Sequence, residues 1–122
     1  MLPYEFYKVM HILGIMLLFL GLGGVLFSFA LTSNVKGKIK FFGFLTHGLG
    51  LLLILTGGFG MAARLGLVQG LPNWIYAKLV IWGLLGLSIS VAKRKASHML
   101  LVISSFILLG FAGTYLAVYK PF

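Results

Sequence analysis

Basic residues gather at two short places in a chain that is otherwise almost entirely apolar. One cluster lies in residues 36–40 and the other in residues 93–95, and together they hold six of the ten Lys and Arg residues. Short basic loops beside membrane helices stay on the cytoplasmic side. The pattern therefore predicts four membrane spans, with loops 32–38 and 93–97 in the cytoplasm and both termini on the opposite side.

Four apolar stretches are long enough to cross a bilayer, whose hydrocarbon core of about 30 Å needs roughly 20 residues of helix. We expect these helices at about residues 4–31, 39–63, 74–92 and 98–118. In lipid each backbone amide must be hydrogen-bonded within the protein, which requires helices here. The short connections predict one all-α domain, residues 1–122, folded as an antiparallel four-helix bundle integral to the cytoplasmic membrane of a bacterium.

The composition excludes several classes of function. Glu5 is the only acidic residue and cysteine is absent, so a carboxylate pair, a Ser-His-Asp triad and a thiolate metal site are ruled out. The net charge is +9, but the basic residues flank apolar spans and do not form a basic face with interleaved aromatic residues. We therefore expect no nucleic-acid partner. A small proton-coupled transporter is disfavoured, since such proteins keep an acid inside the membrane.

Polar and small residues follow stripes at helical spacing on three of the spans. An ionisable side chain is costly against lipid, so we expect these stripes to face the bundle interior. The 17 glycines predict close helix packing, with a cofactor slot or a homo-oligomer seam as alternatives. The stripes are His11, Gly14, Leu18, Gly21, Val25 and Ser28 on the first span, Gly43, His47, Gly50, Ile54, Gly57, Met61 and Arg64 on the second, and His98, Leu101, Ser105, Leu108, Ala112, Tyr115 and Tyr119 on the fourth.

Two histidines are predicted to lie within the membrane, at different depths. Counting about 1.5 Å per residue places His11 roughly 10 Å below the outer surface and His47 roughly 10 Å from the cytoplasmic side. One metal ion held by both is therefore disfavoured. Two separate sites, or one site and one structural histidine, fit this arrangement better.

The outer half holds the residue types that a haem needs, namely an axial ligand and basic partners for its propionates. His11 is the candidate ligand and Met61 a candidate second ligand, while Arg64 and Lys78 suit carboxylates. His47 is the next candidate ligand, nearer the cytoplasm. The alternatives stay open: hydrogen-bonded core roles for the histidines, packing for Met61, and snorkelling anchors for the two basic residues.

Short motifs resemble two related membrane families. Residues 8–11 (KVMH), 74–79 (WIYAKL) and the ending 120–122 (KPF) resemble the HemJ-type protoporphyrinogen oxidases, which are four-helix proteins that bind haem b. Residues 8–11 and 74–79, together with Thr46-His47 and the basic step at 92–94, are also similar to the SirB-type membrane family. The second family has no secure biochemical activity.

The HemJ resemblance implies that His11 binds the haem b iron and that Lys78 is an essential basic residue. Considered from the residues themselves, Lys78 and Arg64 are the candidate catalytic residues. Porphyrinogen oxidation or electron transfer is the expected activity, with a porphyrin or quinone as ligand. Further expected partners are the lipid bilayer and either a second copy or a larger membrane complex. The alternative is a cofactor-free accessory subunit, and a small transporter ranks below both.

Overall fold

The computed structural model describes residues 2–32 and 37–121, and the regular secondary structure of this part of the chain is helical. Its long elements are α1 (Tyr4–Thr32), α2 (Gly37–Arg64), α3 (Asn73–Arg94) and α4 (Met99–Tyr119). A short 3-10 helix, Ala96–His98, joins α3 to α4. No strand occurs among the described residues. The predicted all-α fold with four helices is confirmed.

Each of the four helices is long and apolar enough to cross a membrane. Large apolar side chains remain exposed along all of them, as expected of a surface that contacts lipid instead of water. Examples are Met16, Leu20, Leu87 and Phe111, each more than 60% exposed. The chain is therefore described as a four-helix protein of membrane-spanning type.

The helix ends differ from the expected ones around both basic clusters. The predicted short connection at 93–97 is present but displaced: α3 continues to Arg94, and Lys95 with the 3-10 helix Ala96–His98 joins it to α4. At the other cluster α2 begins at Gly37, so Lys38 and Lys40 are helical. Residues 33–36 of the predicted loop 32–38, including Lys36, lie outside the described residues. Charged residues can extend a helix past the apolar run, since their side chains reach the aqueous interface.

Contacts between α1 and α2 establish that these two helices are antiparallel. Gly57, near the end of α2, packs on His11 near the start of α1. Gly43, near the start of α2, packs on Gly21 far along α1. The stripes predicted on both helices thus face each other, and their strict seven-residue repeat is the pattern of a left-handed helix pair.

Glycines at seven-residue intervals bring the two backbones into direct contact. An ideal Cβ built on Gly50 would lie 2.5 Å from the amide N of Leu18, and one on Gly21 would lie 2.7 Å from the carbonyl O of Gly43. No side chain fits such gaps, so the close approach depends on glycine. We call these residues the glycine seam: Gly14 and Gly21 on α1, with Gly43, Gly50 and Gly57 on α2.

The apolar core lies toward the half of the bundle that carries the basic clusters. It draws on α1, α3 and α4, and consists of Leu18, Leu22, Val25, Leu26, Leu85, Ile89, Ala92, Val102 and Phe106. Helices α3 and α4 are also antiparallel, since Lys120 lies over the ring of Trp74 and Gly113 lies near Ile81. The predicted antiparallel order of neighbouring helices therefore holds for both hairpins.

The stripe predicted for α4 is wrong. Leu101, Leu108 and Tyr119 are 66–69% exposed, whereas the buried residues of α4 are Val102, Phe106 and Leu116. The serines that suggested an inward face do not need partners on other helices. The Ser105 hydroxyl, for example, donates to the carbonyl O of Leu101 at 2.9 Å, within α4 itself. A hydroxyl bonded to its own helix can face lipid at little cost.

Candidate functional site

His11 points into the bundle and not toward lipid. Its ring is half-buried, and Nδ1 lies 2.8 Å from the carbonyl O of Ile54 on α2. A carbonyl only accepts hydrogen bonds, so Nδ1 carries the hydrogen and donates it. This bond fixes the ring orientation and leaves the Nε2 lone pair available, which is the arrangement that metal-ligating histidines commonly use.

Lys78 of α3 lies at the level of His11. The pairing of α3 with α2 places Trp82 opposite Leu51, so Lys78, one turn earlier, is level with Ile54. His11 donates to the carbonyl O of Ile54, so His11 and Lys78 lie at the same level of the bundle. The site therefore combines an oriented imidazole with a partly buried cation, on helices that neighbour each other.

A second lysine joins Lys78 at the same end of the bundle. The Nζ atoms of Lys78 and Lys120 lie 5.9 and 5.4 Å from the ring centroid of Trp74. Both distances are within the range of a cation–π interaction. The chain's single acid is the exposed Glu5. Both ammonium groups thus lie near the Trp74 ring, and cations at one end of the bundle suit the carboxylate or phosphate groups of a ligand.

The contact of Lys120 with Trp74 is not visible from the spacing of residues within one helix. Lys120 follows the last turn of α4, which it caps in a left-handed conformation (φ 47°). The signal that was available is topological: in an antiparallel bundle the end of α4 meets the start of α3, where Trp74 lies. Aligning the helix ends would have brought the two residues together.

His47 occupies a different level of the bundle. It is 2% exposed, and its Nε2 donates to the carbonyl O of Leu85 on α3 at 2.9 Å. In return, Nε1 of Trp82 on α3 donates to the carbonyl O of Leu51 on α2 at 3.0 Å. We call this reciprocal pair of hydrogen bonds the α2–α3 clasp. It ties the two helices together at positions one turn apart.

The two histidines are too far apart to bind one metal ion. His47 packs on Gly21, which lies ten residues after His11 on α1, or about 15 Å along the helix axis. The expectation of different depths is confirmed. Within residues 2–32 and 37–121, no group of three or more His, Cys, Asp or Glu residues gathers.

Met61 and Arg64 lie beyond His11 toward the same end of the bundle. Met61 is half-buried, one turn past Gly57 on α2. Arg64 is exposed in the last turn of α2, where a positive charge complements the carbonyl end of the helix dipole. Their roles as second ligand and propionate partner stay predictions.

This end of the bundle holds one oriented nitrogen donor, on His11, and two cations, Lys78 and Lys120, near the Trp74 ring. His47 lies about 15 Å away along the helix axis and belongs to another level of the bundle. The two described grooves, of about 470 and 330 Å³, lie at the opposite end of the bundle and do not border His11.

Comparisons of this chain with protein-family models, with curated proteins and with solved structures give no match. The assignment of a function therefore depends on the residues and contacts described above.

Proposed function

We propose that this chain is a multi-pass protein of the cytoplasmic membrane that binds haem b through His11 and acts in porphyrinogen oxidation or electron transfer to a quinone. The observation that carries the proposal is the hydrogen bond from Nδ1 of His11 to the carbonyl O of Ile54. It holds the imidazole in one tautomer and one orientation, with Nε2 as the remaining donor atom.

In this proposal each residue has a limited task. His11 would hold the iron, and its Ile54 hydrogen bond would keep the ring from rotating. Lys78 and Lys120 would bind the propionates, since a cation beside a carboxylate is stabilising where water is scarce. A bound haem b would supply one-electron redox chemistry. Arg64, at the end of α2, would attract an anionic substrate or a further carboxylate.

Substituting His11 by Asn separates ligation from packing. The Asn amide nitrogen takes the place of Nδ1 and can still donate to Ile54, but the variant has no donor atom at the Nε2 position. After expression with a haem precursor, we expect the purified wild type to show a Soret band. The band should fall by at least tenfold in His11→Asn, while the thermal midpoint in detergent stays within a few degrees.

His47→Gln is the matched control for this measurement, since His47 lies at another level and its Nε2 position is kept by the Gln amide. We expect its Soret band to equal that of the wild type. A colourless wild-type preparation, or a His11→Asn protein that keeps the full band, would contradict the proposal.

The second candidate function is that of a cofactor-free accessory subunit whose histidines serve only to join helices. The observation that favours it is that both His11 and His47 donate hydrogen bonds to backbone carbonyls of neighbouring helices. Under this function the wild type is colourless and His11→Ala loses stability that His11→Asn keeps. Stoichiometric co-purification with a larger membrane complex would support it further.

The proposed topology places both termini outside and the basic helix ends in the cytoplasm. Its support is the position of Lys38, Lys40, Arg94 and Lys95 at one end of the bundle. We expect alkaline phosphatase fused at either terminus to be active in a bacterial host, and green fluorescent protein fused there to be dark. Fluorescence from green fluorescent protein at the termini would show that the termini lie in the cytoplasm, which is the opposite orientation.

A further inference from the structure

A groove with a charged rim and an apolar floor opens between the end of α3 and the start of α4. Its volume is about 330 Å³. The floor is formed by Val102 and Phe106, which are 5% and 7% exposed, and Leu101 forms a wall that is 68% exposed. Lys95 and His98 line the rim. This groove lies at the opposite end of the bundle from His11 and takes no part in the proposed haem site.

The short 3-10 helix holds the two basic side chains at one corner of the groove. The backbone N–H of His98 donates to the carbonyl O of Lys95 at 2.9 Å, which closes the turn between them. The Ser97 hydroxyl lies 3.3 Å from Nδ1 of His98 and steadies that ring. Both rim residues are exposed. Arg94 is also exposed, but it does not line the groove.

The polarity of the groove changes along α4. Phe106 lies eight residues after His98, which is about 12 Å farther from the basic end of the helices. A ligand that fills the groove must therefore be anionic at the rim and apolar about 12 Å deeper. A free phosphate or a nucleotide meets the first requirement only, and a fatty chain without a charged head meets the second only.

We propose that this groove binds one anionic glycerophospholipid, with its phosphate at Lys95 and His98 and an acyl chain along Leu101 and Phe106. Basic pockets between membrane helices are the usual binding places of anionic headgroups. The apolar wall and floor then replace the contacts that the acyl chain makes with other lipids. The rim adds the preference for a negative headgroup. The chain's only acid, Glu5, lies at the other end of the bundle and does not oppose the binding.

Native mass spectrometry of the protein released from mixed phosphatidylglycerol and phosphatidylcholine vesicles tests this proposal. We expect the wild type to retain one phosphatidylglycerol in preference to phosphatidylcholine. Lys95→Gln should reduce that retention about fivefold, the effect of one basic residue near an anionic headgroup. Arg94→Gln removes the same charge one residue away, outside the groove. This variant should keep at least half of the wild-type retention of phosphatidylglycerol.

A second variant tests the apolar part of the groove without changing charge. Ser105→Leu places a larger side chain in the lining and should displace the acyl chain, so retention of phosphatidylglycerol should again fall at least fivefold. Equal losses in Lys95→Gln and Arg94→Gln, or equal retention of both lipids, would overturn the proposal. Displacement of the lipid by millimolar inorganic phosphate would also overturn the proposal, because it would show that the groove binds phosphate and does not recognise an acyl chain. None of these outcomes depends on haem binding.

Discussion

Gly50→Ala is expected to prevent α1 and α2 from packing. The new Cβ would lie 2.5 Å from the amide N of Leu18 and 2.6 Å from the carbonyl O of Gly14. Both neighbours are backbone atoms, so no rotamer change can relieve the overlap and the helices must move apart. Overpacking of a tight interface costs about 3 kcal/mol in the more severe cases. The measurement is the SDS concentration at which the detergent-solubilised protein unfolds, followed by tryptophan fluorescence.

Two variants make this result specific to the glycine seam. Gly48 lies two residues away on α2, and a Cβ added there would meet no atom within 4 Å, so Gly48→Ala should not lower stability. Gly43→Ala meets a side chain, Cγ2 of Val25, at 2.5 Å. Val25→Ala should therefore lower the stability of the Gly43→Ala protein less than it lowers the stability of the wild type. No side-chain truncation should rescue Gly50→Ala. Equal tolerance of alanine at positions 48 and 50 would contradict the observed packing.

His47→Ala is expected to be the second most damaging change. The residue is 2% exposed, so truncation leaves a cavity and removes the hydrogen bond to the Leu85 carbonyl. Large-to-small substitutions of buried residues cost about 2 to 5 kcal/mol, and an interhelical hydrogen bond in a membrane adds about 0.6 kcal/mol. We expect a loss of about 3 kcal/mol in the same SDS titration.

His47→Gln isolates the hydrogen bond from the rest of the side chain. The Gln amide nitrogen occupies the position of Nε2 and can donate to the same carbonyl, so most of the stability should remain. Trp82→Phe removes the other half of the α2–α3 clasp and should cost about 1 kcal/mol. The stability losses of His47→Ala and Trp82→Phe should not be additive, because both hydrogen bonds hold the same pair of helices. A Gln variant as unstable as the Ala variant would show that the clasp contributes little.

The inward face was predictable on α1 and α2 and was not predictable on α4. On the first two helices glycine and histidine interrupt the apolar sequence every three or four residues, so the face that packs is visible in the pattern. Along α4 nearly every residue is apolar, and its serines bond their own helix. Such a helix has no polar signal that separates its lipid-facing side from its packed side, and Leu101 was assigned to the wrong one.

The candidate site likewise contains some residues that the sequence singles out and some contacts that only the structure reveals. Motif and depth singled out His11 and Lys78, since ionisable groups inside a membrane are rare enough to be noticed one by one. The contribution of Lys120 depends on which helix ends meet, and the α2–α3 clasp depends on which backbone carbonyls face His47 and Trp82. Contacts of this kind join residues about 30 to 45 positions apart and cannot be read from local spacing.

The number of helices, their approximate ends and the two levels of the histidines were determined by the sequence alone, because the cost of burying polar groups in lipid acts on each segment by itself. The register of the helices, the direction of each ring nitrogen and the outward face of α4 were decided only by tertiary packing. These features depend on which backbones can approach closely, and at Gly14, Gly21 and Gly50 the approach leaves no space for a Cβ.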